Sequence, residues 1–77
     1  MTFGEKLRIL RKRQGLTQAD MAASIGTTMR AVRYYEADTK FPQQNTLNRI
    51  CELFNVSTDL LTDDKEDIQL TKEELFI

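Results

Sequence analysis

Apolar residues recur along this chain at helical spacing, and no stretch shows the two-residue alternation of a strand. Phe3, Leu7 and Leu10 stand at i, i+4 and i+7, one buried helical stripe, with Lys6, Arg8, Lys12 and Arg13 read as lying off it. Met21, Ala22 and Ile25 supply a second inner face, and Ala22 and Ala23 are small, as close helix–helix approach requires. Val32 and Tyr35 mark the inner side of a third helix. Leu47, Ile50, Cys51 and Phe54 follow i, i+3, i+4, i+7 on a fourth, and Leu60 and Leu61 belong to a short fifth. The chain has no internal repeat and no low-complexity tract. The expected fold is all-α.

Punctuation residues divide these helices. Gly15 sits where a C-cap glycine ends the first helix. Thr17 caps the second, with Asp20 three residues on as a short substitute for the usual capping-box Glu. Gly26 supplies the backbone freedom for a sharp turn, and Thr28, in preference to Thr27, caps the third helix. Asp38 to Pro42 reads as a loop, with Pro42 near the start of the fourth helix, and Ser57 caps the fifth. After Thr62 the run DDKED reads as a solvated linker, whereas IQLTKEELFI turns apolar again, with Thr71 and Glu74 at capping-box spacing. The expected organisation is a domain over 1–62 and an acidic, apolar tail over 63–77.

Composition narrows the function classes. Seventy-seven residues make one domain. A chain of this size buries only about 60% of its unfolded surface, so a dimer partner would help its stability. One cysteine and no histidine exclude an internal disulfide and the usual zinc sites. Neither a membrane span nor a signal-peptide core is visible, which points to a reduced intracellular compartment. With no histidine, no nucleophile–base constellation and no glycine-rich phosphate loop, the sequence offers nothing an enzyme would use, and it calls for no cofactor. The net charge of −1 averages two unlike parts. Residues 1–58 carry nine Lys/Arg against five Asp/Glu, a balance of +4; residues 59–77 carry two Lys against seven Asp/Glu, a balance of −5. On charge alone a solvated surface with a polar tail explains this equally well.

Thr17 to Glu36, TQADMAASIGTTMRAVRYYE, is the most informative segment. Two short helices joined at Gly26, the second carrying Arg30, Arg33, Tyr34 and Tyr35, have the form of a unit that reaches into the DNA major groove. Around it stand LRILRKRQGLTQADMAASIG, TMRAVRYYE, Pro42 and LNRICELFNVSTDLL. Together these resemble the phage-repressor and Cro-like (XRE-type) helix-turn-helix family over roughly Phe3 to Leu61. The resemblance implies a compact five-helix lambda-repressor-like DNA-binding domain with a short C-terminal tail. Such a protein is expected in the cytoplasm, bacterial or phage-encoded.

The resemblance also assigns residues. Arg11 and Glu36 occupy the positions of an ion pair that orients the third helix against the first, a bidentate contact if formed; otherwise both are free surface charges. The outward face of the third helix (about 28–36) would read bases with Thr28, Met29, Arg30, Arg33 and Tyr34. Arg30 can bridge guanine O6 and N7, and Met29 suits either a thymine methyl or packing at the bundle edge. Arg33 can reach a base or a phosphate. Tyr34 can donate its hydroxyl to a phosphate or cover the bundle edge. Gln18 at the start of helix 2, with Thr17 and Lys40, would hold the phosphate backbone. Cys51 on an apolar stripe reads as an inert buried thiol and Tyr35 as core. Two positions depart from the family pattern: Asp38, where Gly or Asn often ends helix 3, and Gln43, where a Ser cap is usual.

Two functions compete. One is a sequence-specific transcriptional repressor that binds a palindromic operator as a homodimer, with Leu60, Leu61 and the apolar end Ile68, Leu70, Leu75, Phe76 and Ile77 as candidate dimer contacts. The other is a protein-binding module, an antitoxin or anti-repressor partner that uses the acidic, apolar tail.

Overall fold

The computed structural model describes residues 1–75; the dimer candidates Phe76 and Ile77 lie outside the described residues. The described residues form six helices and no strand: α1 (Phe3–Arg13), α2 (Gln18–Ile25), α3 (Met29–Glu36), α4 (Gln44–Phe54), α5 (Thr58–Thr62) and α6 (Lys72–Leu75). None is long and apolar enough to cross a membrane. Local chemistry sets most boundaries. Thr2 and Glu5 close a capping box on α1, and Thr17 and Asp20 close one on α2. Thr28 accepts the Ala31 N–H at the start of α3, and Ser57 accepts the Leu60 N–H at the start of α5. Gly15 and Gly26 adopt left-handed backbone at φ 68° and 71°, which glycine occupies without a Cβ penalty. Gln43 caps α4 through its backbone alone.

The helices pack around one core. α3 lies against α1 and α2, α4 against α2 and α5, and α5 against α1. Leu7, Met21, Ile25, Val32, Ile50 and Leu61 are at most 1% exposed and form its centre. Leu61 is therefore a correction to the expected dimer contacts: it faces inward from α5 and has no surface to offer a partner. Leu60 is half-buried against the same core, and Leu75 is 63% exposed.

Lys6 is a second correction. It is fully buried, and its Nζ donates to the carbonyl oxygens of Leu60 at 2.8 Å and Asp63 at 2.7 Å. Residues 3, 6, 7 and 10 share i, i+3, i+4, i+7 spacing, so Lys6 lies on the buried stripe. Its ammonium satisfies carbonyls at the open C-terminal end of α5, where helix oxygens lack partners and carry partial negative charge.

The tail returns to the body. Asp63 to Asp67 are exposed, yet Ile68 is 7% exposed and belongs to the core, which corrects its expected place among the dimer contacts as it does for Leu61. The N-terminal ammonium of Met1 donates to Asp67 Oδ1 at 2.7 Å. Arg13 grips the last turn: its Nε donates to Glu74 Oε2 at 2.8 Å, and its Nη2 donates to Glu74 Oε1 at 2.9 Å and to the Gln69 carbonyl. Thr71 and Glu74 exchange the two bonds of a capping box at the start of α6. Hydrogen bonds from Arg13 and from the Thr71 N–H hold the Glu74 carboxyl well below its ordinary 4.5, at about 2.

These contacts make two expectations measurable. Ile68→Ala should lower the unfolding free energy by about 2–5 kcal/mol, the range for deleting a packed aliphatic side chain; urea denaturation would show almost no change if the tail were detached. A carboxyl with a depressed pKa stabilises the folded state above its unfolded pKa and loses that effect as pH falls through the folded one. Amide protection of 71–75 should therefore be full above pH 5 and decline toward pH 2. In Glu74→Gln it should be low across the whole range.

Candidate nucleic-acid interface

The geometry of α3 begins with a turn. The Thr27 N–H donates to the Ala22 carbonyl at 2.9 Å across Gly26, closing α2 and redirecting the chain within two residues. α3 is then eight residues long, about 12 Å at 1.5 Å per residue, comparable to the width of the major groove. Val32 is its fully buried contact, and Tyr35 packs half-buried beside it. Both face inward, which leaves the Arg30 and Arg33 side outward.

An ion pair sets how α3 sits against α1. Arg11 Nε donates to Glu36 Oε2 at 2.6 Å and Nη2 donates to Glu36 Oε1 at 3.1 Å, with the two side chains 11% and 6% exposed. Arg11 Nη1 also donates to the Leu16 carbonyl at 2.9 Å, and Gln18 Nε2 donates to Glu36 Oε1 at 3.2 Å. The C-terminus of α3, the end of α1 and the start of α2 thus meet at one carboxylate. Charges removed from water are tolerable when paired and hydrogen-bonded in this way.

The same helix end is tied to the start of α1. Asp38 takes the left-handed conformation at φ 60°, and its Oδ1 accepts the Gly4 N–H at 2.9 Å. The bond places a carboxylate at a helix N-terminus, where free N–H groups favour it, and offsets the strain of a non-glycine residue there. A Cβ on Gly4 would lie 2.7 Å from the Tyr35 carbonyl oxygen and closer still to that of Glu36, so only glycine permits this approach. Gly4 is a positioning residue that the sequence reading missed. Its signal was a lone glycine inside a helical pattern, which usually has a packing reason.

The expected base-reading residues share one surface. Thr28, Met29, Arg30 and Arg33 are exposed, Met29 at 41%, and Tyr34 is half-buried. The Thr28 oxygen already accepts the Ala31 N–H, which leaves its hydroxyl proton free. Arg30 Nε donates to the Tyr34 hydroxyl at 3.0 Å. Lys40 places its Nζ 4.8 Å from the Tyr34 ring centroid. Arg8, Arg11, Gln18, Arg33, Glu36 and Ala37 line an open concavity between α1, α2 and α3. Because Arg11 neutralises Glu36, the uncompensated charges in it are the guanidinium groups of Arg8 and Arg33. Thr17 is engaged as the α2 cap and is exposed beside Gln18.

Two short helices joined at a glycine turn, with the second helix braced from behind and polar in front, define a helix-turn-helix domain. Residues 2–63 match the helix-turn-helix domain family, and the chain belongs to it. It is similar to the HTH-type transcriptional regulator ImmR of Bacillus subtilis (strain 168), at 34% identity over 61 residues, 79% of this chain and 48% of that protein. It is also similar to the antitoxin PezA of Streptococcus pneumoniae serotype 4, at 34% identity over 75 residues, 90% of this chain and 48% of that protein. The chain thus spans about half the length of these relatives. Its fold is that of the P22 c2 repressor protein solved in complex with synthetic operator 9T: TM-score 0.79 at 24% identity, covering 82% of this chain and 96% of that one.

Removing one member of the Arg11–Glu36 pair strands a charge with little water around it. Glu36→Leu alone should cost about 3–5 kcal/mol in urea denaturation. The double variant Arg11→Met/Glu36→Leu should cost clearly less than the two single changes summed. Additive losses would mean that the pair is not coupled.

Proposed function

We propose that this domain is a sequence-specific DNA-binding transcription regulator that lays α3 in the major groove and acts as a repressor on a palindromic operator. The observation that carries the reading is the buried Arg11–Glu36 bridge behind α3, which fixes a short helix whose outward side carries Arg30 and Arg33. Arg30, Arg33 and Met29 are the base readers, with Thr28 at the leading end of the helix. Gln18, Thr17 and Lys40 hold phosphates, which set register without reading sequence. The family membership and the transcriptional-regulator names among its relatives support a regulatory role, in which no chemistry is performed on the DNA. As a homodimer the protein would set two copies of α3 about 34 Å apart, one turn of duplex. Leu60, Leu70 and Leu75 are partly or largely exposed apolar residues near its C-terminal side that a second copy could cover.

A second reading, an antitoxin-like partner module working through the tail, is favoured by the similarity to PezA. In that role the segment from Asp63 onward would exchange its contacts with Arg13 and the core for contacts with another protein.

Selection of bound sequences from random duplex DNA at fixed salt separates the two. The regulator reading expects an enriched two-fold symmetric site, and Arg30→Ala should lose the preference at one base pair per half-site, a cost of roughly 1–3 kcal/mol, while keeping the fold. A pool with no enrichment would contradict it.

A further inference from the structure

Arg30 and Tyr34 stand one helical turn apart on the outward side of α3, and the structure joins them twice. Arg30 Nε donates to the Tyr34 hydroxyl oxygen at 3.0 Å, and the guanidinium carbon lies 5.5 Å from the Tyr34 ring centroid. Arginine has no acceptor, so the direction of this hydrogen bond is fixed: tyrosine accepts. The Tyr34 backbone is itself held. The Tyr34 carbonyl accepts the Thr39 N–H at 3.0 Å and the Thr39 hydroxyl at 3.1 Å, which folds the loop back over the end of α3. That fold brings Lys40 Nζ to 4.8 Å from the same ring. Tyr34 is therefore half-buried with two cations near its ring, a stiff two-torsion side chain with its oxygen committed to Arg30.

From this geometry we infer that Tyr34 is a positioning residue that sets which edge of the Arg30 guanidinium is offered to a base. The inference rests on the DNA-binding reading above. An exposed arginine samples many rotamers and loses that freedom on binding; one already tethered at Nε loses less. The tether also occupies the Nε edge. The four N–H groups on Nη1 and Nη2 remain, and they form the end-on fork that can span guanine O6 and N7. Tyr34 then contributes to specificity without touching a base, a role distinct from donating to phosphate or covering the bundle edge. Lys40 lies against the same ring, with its Nζ 4.8 Å from the centroid.

The test uses Tyr34→Phe, which keeps the ring and removes only the oxygen. Affinities are measured at one salt concentration for a selected duplex and for its variants at each base pair. The wild type should favour guanine at the Arg30 position by about 5- to 150-fold. Tyr34→Phe should reduce that preference several-fold and leave preferences at other positions unchanged. In an Arg30→Ala background, Tyr34→Phe should change nothing. In the DNA-free protein, the Arg30 Nε–H proton should exchange more slowly with water in the wild type than in Tyr34→Phe.

Guanine preference that Arg30→Ala abolishes but Tyr34→Phe leaves intact would overturn this assignment alone. A loss of affinity equal across all duplexes would also overturn it, placing the hydroxyl on a phosphate. A wild type without preference at any position would overturn the DNA-binding reading and this assignment with it.

Discussion

The Arg11–Glu36 bridge, with Gln18, joins three helices through three side chains, and the orientation of α3 depends on it. The carboxylate receives two bonds from Arg11 and one from Gln18, while Arg11 also reaches the Leu16 carbonyl between α1 and α2. In this eight-residue helix Val32 is the single fully buried residue, with Tyr35 half-buried beside it. Directional, charge-assisted bonds add a further constraint. The bond from the Gly4 N–H to Asp38, and the close approach that Gly4 permits, pin the same helix end from the other side. What remains free on α3 is its outward side, the part the proposed function needs.

The tail and Lys6 form a second system, built on α1. Lys6 holds the end of α5 from inside, Ile68 completes the core, and Arg13 clasps Glu74 outside. The segment's acidic charge is thereby partly neutralised against the basic end of α1. The charge asymmetry along the chain reflects this internal pairing as well as any effect on nucleic acid.

Much of the fold was legible because it rests on local rules. The Thr17, Thr28 and Ser57 caps, the Gly26 turn and the stripe on α4 follow from side-chain chemistry and helical period, and the structure contains all of them. What was missed depends on contacts between distant residues. The role of Gly4 requires the carbonyls of Tyr35 and Glu36 to arrive beside it, and the burial of Lys6 requires an open helix end 54 residues away. Charged residues are almost never fully buried unless paired, so the lysine's chemistry points outward while its spacing puts it inside. The DDKED run was read correctly as exposed, but no local pattern indicates that Ile68 just beyond it closes the core. For the site, helical period separates the inward from the outward residues of α3. The Arg30–Tyr34 contact is an i, i+4 pair that helical spacing offers, but the approach of Lys40 depends on the path of the loop after Asp38, which sequence does not reveal.

The central claim is that a buried ion pair, more than apolar packing, sets the angle of α3 against α1. Residual dipolar couplings on backbone amides measure that angle directly, in the wild type and in Arg11→Met/Glu36→Leu, which keeps the site filled and uncharged. The double variant should retain both helices but show α3 reoriented or averaged over several angles relative to α1. Couplings that superimpose on those of the wild type would mean that packing alone orients the helix, and would contradict the claim.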